Sequence, residues 1–211
     1  VAALLDLAQS TVSYHARRSE PVLANHLDLL VRFDAATGLR DGELAALRPG
    51  DIDLDQGSVM VTGSIEQGGG RKTTKTGRIR SVPIPQFLHE PLRARMAAAA
   101  DWLFEMPTGG PISHPVFYRT YFKPAAAAIG VPDLRFHDLR HTCAALLIAQ
   151  GANPLAVQQR VGHASIEVTF DVYGHLFPHL DQQVTDALNQ AWASKPGSQD
   201  HVGQGVGGRP G

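Results

Sequence analysis

The chain has 211 residues, 43% of them hydrophobic, with 19 Lys and Arg against 20 Asp and Glu and a net charge of -1. That length suits one domain, or one with an appendage, and is enough to bury a substantial core, while the near-zero charge gives no global nucleic-acid or membrane signal. A single cysteine, Cys143, excludes a disulfide framework and a Cys-based zinc site within a monomer; no secretory signal is expected, and no apolar run approaches the ~20 residues of a membrane span, so a cytoplasmic protein is expected.

In chain order, Val1, Leu4, Leu5 and Ala8 recur at helical spacing, and a polar connecting stretch covers 10–20. Because Val1 already lies inside a helical pattern, the chain reads as the C-terminal part of something longer. From Pro21 the positions Val22, Leu23, His26, Leu27, Leu30, Val31 and Asp34 keep the helical period, with Gly38 as the stop. Residues 40–48 predict a short helix ended by Pro49 and Gly50. The period then falls to two over 58–62 and 78–84. With Thr73, Thr74 and Lys75 as a short partner strand, these predict a small three-stranded antiparallel sheet, with a loop at Gly68, Gly69 and Gly70 on one edge.

Beyond Pro85 the pattern is helical. Helices are predicted over 86–99, from a Ser113 cap to Ile129, and over 137–150. A further helix runs from the Asn153 cap and Pro154 to Gly162, and a short one from Ser165 to near Gly174. Residues 179–193 predict a last amphipathic helix, and the Gly, Pro, Ser and Gln content from Lys195 onward predicts disorder. The expected fold is mainly α with a small three-stranded antiparallel β-sheet: one domain over 1–194 and a disordered tail over 195–211.

The neutral total hides a local asymmetry. Arg71, Lys72, Lys75, Arg78, Arg80, Arg93 and Arg95 share a segment with the single acid Glu90, while Asp51, Asp53 and Asp55 cluster elsewhere. A basic strand-and-loop segment suits a phosphate backbone; the plain alternative is a solvated hairpin. In the 137–150 helix, His137, Arg140, His141 and Ala144 share one face, and Leu139, Cys143, Leu146 and Leu147 form an apolar stripe. The helix is therefore expected to pack by the stripe and to present His and Arg. A guanidinium fork matches phosphate oxygens bidentately. His137 and His141 are also spaced like two zinc ligands on a helix, but Asp replaces the usual Glu, and Arg140 would set a fixed positive charge against the metal.

His163 follows a predicted helix stop, and Tyr173 ends the next helix, with Gly174 leaving its hydroxyl free to reorient. Upstream, Arg40 opens a helix, where a positive charge is unfavourable. That misfit points to a site, with Glu43 bracing Arg40 and with Leu44 and Leu47 as core contacts.

Taken together, Thr37–Leu47, Lys75–Pro85, Phe136–Thr142 and Gly162–Leu176 resemble the catalytic domain of tyrosine recombinases, phage-type integrases above all, over nearly the whole chain. The resemblance implies that Arg40 and Arg140 clamp the scissile phosphate. It makes Tyr173 the nucleophile that forms a 3′-phosphotyrosyl link, and Lys75 the donor of a proton to the 5′-oxygen. Lys72 is a second candidate for the Lys role, but Lys75 ahead of Ile79 and Val82 fits the family pattern better. It makes His137 the proton-handling histidine and base for Tyr173, His163 a hydrogen-bond donor to the phosphate, and Glu43 a support. Arg71, Lys72, Arg78 and Arg80 are then DNA contacts.

The chemistry agrees with that set. Phosphoryl transfer relies on positioning and charge stabilisation, and a phenol of pKa ~10 needs help to ionise at neutral pH. The bond energy stays in the phosphotyrosine, so no cofactor and no metal is implied, and no Gly-Lys-Ser/Thr phosphate loop is present. The implied partners are double-stranded DNA and further copies of the chain, as a tetramer in the synaptic complex, with the 179–193 helix packing on a neighbour. The family's N-terminal core-binding domain is missing, which predicts weak DNA binding alone and a fragment or prophage remnant. The alternatives are a catalytically silent DNA-binding remnant, a resolvase or conjugative-transposon recombinase with the same chemistry, and a His-based metallohydrolase.

Overall fold

The computed structural model describes residues 21–66, 70–73, 79–107, 109–177 and 180–193. The helix expected near Val1, the stretch 10–20, the Gly68 and Gly69 loop, Lys75, Arg78 and the tail from Lys195 lie outside the described residues.

The first helix, α1 (Pro21–Thr37), buries Leu27, Leu30 and Val31 of the period read from the sequence, and Phe33 besides. Gly38 ends it at φ +63°, and its N–H donates to the Asp34 carbonyl at 2.7 Å. A Cβ at Gly38 would sit 3.2 Å from Cys143 Sγ, so the turn also passes close to a later helix. Next comes α2 (Asp41–Ala45), with Arg40 at its N-cap.

The β region keeps three antiparallel strands but not the expected third one. The order is β1 (Ile52–Asp53), β2 (Ser58–Val61), then the strand Arg80–Pro83, with Val59 opposite Val82 and Val61 opposite Arg80. The edge partner is Ile52–Asp53, not residues 73–75. A tight turn decides this: Asp53 Oδ1 accepts the Gln56 N–H at 2.8 Å and Gly57 takes φ +60°. Closing so short a loop costs little entropy. Residues 71–73 instead form β4 (Arg71–Thr73), which pairs with β3 (Gly63–Ile65) in a separate two-stranded ladder. The Arg80–Pro83 strand is β5.

After a 3-10 turn at Gln86–Leu88 comes α3 (His89–Ala98). The single helix expected from Ser113 to Ile129 is broken into α4 (His114–Phe117), a π-helical turn over Tyr118–Phe122 and α5 (Lys123–Ala128). Pro124 explains the wide turn. It has no N–H to donate, and in a regular helix its ring meets the carbonyl four residues back. Phe117 and Phe122 meet Phe136 edge-on, with centroids at 5.2 and 5.3 Å, and so pin the chain just ahead of His137.

The next helix, α6 (Asp138–Ala149), corrects the face assignment. Its buried residues are Leu139, Arg140, Cys143, Ala144 and Ile148, whereas Leu146 and Leu147 are half-buried. The Arg140 and Ala144 face points inward because α6 packs against α1, where Cys143 lies against the Ala36 carbonyl. Helix α7 (Pro154–Val161) starts as read from the sequence: Asn153 Oδ1 accepts the Ala156 N–H at 2.8 Å, and the helix stops at Gly162 with φ +68°. Helix α8 (Ile166–Tyr173) then runs into a 3-10 turn at Gly174–Leu176.

The chain divides into two units after Leu176. The second contains α9 (Leu180–Ala193), which carries Val184, Leu188 and Trp192 on one exposed stripe. No described helix is long and apolar enough to cross a membrane.

Gly162 yields a stability prediction. A Cβ there would lie 2.7 Å from Arg80 Cζ, and that guanidinium is held in place by two hydrogen bonds to Glu43. Gly130 has φ +82° but open space around it. In urea unfolding, Gly130→Ala should cost about 1 kcal/mol from backbone strain alone, and Gly162→Ala about 2–3 kcal/mol. Equal losses for the two would show that the Gly162 contact is not a constraint.

Candidate active site

Glu43 is 3% exposed, and its carboxylate accepts four hydrogen bonds. Arg80 forks onto it, Nη1 to Oε1 at 2.8 Å and Nη2 to Oε2 at 2.7 Å. The Arg40 backbone N–H reaches Oε2 at 2.9 Å, and Arg40 Nη1 reaches Oε1 at 3.0 Å. Burial pushes the Glu43 carboxyl up; Arg80, with Arg40 behind it, outweighs burial and holds it below the usual carboxylate range. The sequence reading sends Arg80 outward to DNA. Its position alternates with Ser81 and matches buried Val82, so it lies on the inner face of β5 and turns to Glu43. Arg40 also donates from Nη2 to the Gly162 carbonyl at 2.5 Å, tying the start of α2 to the end of α7.

Arg140 is 3% exposed and donates from Nη1 to the Gly38 carbonyl at 2.5 Å. Burial, then the Arg40 charge, lowers its pKa to about 10, which leaves it cationic at neutral pH. Fully buried Asp34 lies in the same neighbourhood. Burial, then the Asp41 charge, raises its carboxyl well above the ordinary range, against the pull of Arg140.

Tyr173 is 3% exposed, and its hydroxyl lies 2.8 Å from His141 Nδ1. This corrects the expectation of a freely reorienting hydroxyl: Gly174 takes an ordinary helical φ of −53°, and the phenol is held by a side chain. The Tyr173 ring lies parallel to His163, with centroids 6.0 Å apart, and His163 Nδ1 is 3.0 Å from Thr169 Oγ1. Burial, then Arg140 and Arg40, pushes the His163 pKa down to about 4, so its imidazole is neutral at neutral pH. Burial raises the Tyr173 phenol against the pull of Arg140.

His137 sits further out, its side chain 47% exposed, with Nδ1 3.7 Å from Asp41 Oδ1. The other oxygen of Asp41 is 3.2 Å from His114 Nε2. The His137 and His141 rings meet edge-on at 5.0 Å. Among the described residues, no three His, Cys, Asp or Glu side chains form a metal-ligating group. A cleft of about 1260 Å³ opens beside these groups, walled by Arg40, Glu43, Arg80, His137, Gly162 and His163. On its β side, Arg71 bonds the Thr62 hydroxyl and the Ala46 carbonyl, and exposed Lys72 is 3.3 Å from Glu66.

Arg40, Glu43, His137, Arg140, His163 and Tyr173 therefore lie around one site, although three separate segments supply them. Lys75 and Arg78 fall outside the described residues. Sequence reasoning passed over Asp41 and, beyond placing His141 on the face with His137 and Arg140, weighed it only as a zinc ligand. The signal for His141 was present in its spacing, four residues after His137 and next to Arg140.

The Glu43 cluster yields a pH prediction. Its folded pKa is depressed, so its stabilisation is complete above the unfolded value of ~4.3 and is lost as pH falls through the folded value. Glu43→Gln should cost about 2 kcal/mol at neutral pH, less than the ~3–5 of a fully buried pair because Arg40 and Arg80 retain access to water. Thermal melts across the acid range should show a smaller pH dependence in the variant. An unchanged acid limb would count against Glu43 as the hub.

Residues 10–179 match the phage integrase family. The chain is 30% identical to a tyrosine recombinase XerC-like protein of Caldanaerobacter subterraneus subsp. tengcongensis, covering 81% of this chain and 51% of that protein. It is 32% identical to the ICEBs1 integrase of Bacillus subtilis, covering 72% and 46%. The chain spans about half the length of these curated relatives. Its fold is similar to the catalytic domain of bacteriophage HP1 integrase, with a TM-score of 0.54 and 27% identity over 75% of this chain and 80% of that one. It is also similar to the XerH site-specific recombinase in a pre-cleavage complex with its difH substrate, with a TM-score of 0.65 and 20% identity over 91% and 53%. With the family match spanning most of the sequence, and the helical fold with small antiparallel sheets recurring in these structures, the chain belongs to the phage integrase family.

Proposed function

We propose that this chain is the catalytic part of a site-specific DNA recombinase that cleaves and rejoins strands through a covalent 3′-phosphotyrosyl intermediate. The observation that carries the reading is the convergence, from three segments, of Arg40 and His163, which line one open cleft, with Arg140 and Tyr173 buried next to them. A phosphodiester entering that cleft meets two fixed cations. Arg40 and Arg140 take its non-bridging oxygens, and Glu43 keeps Arg40 oriented. Neutral His163 donates a hydrogen bond to the charge that builds in the transition state. The Tyr173 oxygen attacks phosphorus in line, and the 5′-oxygen leaves with a proton from Lys75, the donor that the family resemblance indicates.

The phosphotyrosine keeps the energy of the broken bond, so a 5′-hydroxyl from another strand reverses the step. His137, facing the cleft beside Asp41, handles protons at its rim. Arg71, Lys72 and Arg78 hold the duplex backbone, while Arg80 acts through Glu43. Double-stranded DNA is the partner, in a tetrameric synaptic assembly in the cytoplasm. XerC-like resolution and integration of a mobile element share this chemistry.

Nicked suicide duplexes test the reading. The protein should form a denaturant-stable adduct with them, Tyr173→Phe should form none, and Arg140→Ala should slow adduct formation by about 10²–10³-fold. DNA retention with no adduct under any condition would favour a silent remnant. In a parallel assay the adduct should persist in chelator, and a loss reversed by zinc would favour a metal-dependent hydrolase.

A further inference from the structure

We propose that His141 is the base that takes the Tyr173 proton as the phenol attacks phosphorus, a role that the family resemblance gives to His137. The inference rests on the reading of Tyr173 as the nucleophile.

Geometry separates the two histidines. His141 Nδ1 is within hydrogen-bond distance of the Tyr173 hydroxyl, at 2.8 Å. A general base needs that reach. His137 turns its Nδ1 to Asp41 and touches His141 only ring to ring. For His141 to act as the base, the phenol O–H must donate and Nδ1 accept, which puts the imidazole hydrogen on Nε2.

Electrostatics favours the same assignment. Burial, then the charge of His137, lowers the His141 pKa, which keeps the ring unprotonated and ready to accept at neutral pH. Asp138 opposes that shift, and so favours the imidazolium once it forms, while Arg135 and Arg140 act against it. Across from α6, the facing groups are Tyr173 itself and the His163 ring stacked on it. Because burial raises the Tyr173 phenol, hydroxide alone ionises little of it.

The step balances within these groups. The Tyr173 O–H bond breaks, the electron pair stays on oxygen and the proton binds His141 Nδ1. The phenolate oxygen forms the bond to phosphorus while the bond from phosphorus to the 5′-oxygen breaks, and that oxygen is protonated by Lys75 or water. In rejoining, the 5′-hydroxyl gives its proton to Lys75 or water as its oxygen bonds to phosphorus, the bond from phosphorus to the Tyr173 oxygen breaks, and the His141 imidazolium returns its proton to that oxygen.

His141→Asn is the discriminating variant, because an amide can hydrogen-bond Tyr173 but cannot take a proton. Single-turnover adduct formation should fall by about 10² or more. The wild-type rate should rise with pH to a plateau as His141 deprotonates. The variant should lack that plateau and accelerate as the phenol ionises unaided. A fluorinated, more acidic tyrosine at position 173 should restore more rate to the variant than to the unaltered enzyme. A wild-type rate and pH profile in His141→Asn overturns the proposal and leaves Tyr173 as nucleophile. An adduct that survives Tyr173→Phe overturns the nucleophile reading instead. Nitrogen NMR of the unaltered chain gives a readout that needs no turnover. It should show His141 with a bare Nδ1 and a protonated Nε2, and a protonated Nδ1 in the resting protein rules His141 out as the base.

Discussion

The Glu43 carboxylate is the constraint on which the rest of the site depends. Arg40, Arg80 and Arg140 lie close enough that Arg40 and Arg80 each depress the basicity of Arg140. Three guanidinium groups with no counter-charge would repel one another and spread apart. One buried carboxylate, saturated by four hydrogen bonds, holds two of them and leaves Arg140 anchored on the Gly38 carbonyl. A pair removed from water contributes little net stability against its desolvation cost. Its contribution is positional: it ties α2 to β5 and, through Arg40, to the turn after α7.

That arrangement prepares the site for an anion. Arg140 is lowered to about 10 and still carries its charge, whereas His163, pushed down to about 4 by burial and the same arginines, does not. The site thus holds fixed cations beside neutral imidazoles. On the proposed function, a phosphate would enter a cleft whose dipoles are already oriented and whose histidines can still donate or accept a proton. The aromatic contact of Phe117 and Phe122 with Phe136 fixes the start of α6, which carries His137, Arg140 and His141.

The charge balance reads differently against this geometry. Basic residues near the site are largely spent on internal partners: Arg80 on Glu43, Arg71 on Thr62 and Ala46, and Arg140 on Gly38. A net charge of -1 therefore coexists with a cationic centre. On the proposed function, long-range attraction to DNA is correspondingly weak, and local complementarity has to carry the contact.

Much of the fold was legible in the residues. Helix α1 and its Gly38 stop, the Asn153 cap of α7, the Gly162 stop and strands β2 and β5 follow from local rules, because periodicity, capping and positive φ are decided within a few residues. The ordered set from Arg40 to Tyr173 was likewise visible, since residue type and spacing are properties of the chain. Three features were not. The edge partner of β2 depended on whether Ile52–Asp53 or residues 73–75 reached it first. The inward turn of Arg140 depended on α6 being flanked by α1. The choice of His141 over His137 as the neighbour of Tyr173 depended on how α8 lies across α6. Each is a contact between segments far apart in sequence, and side-chain chemistry names the groups able to react but not which of them come within 3 Å of each other.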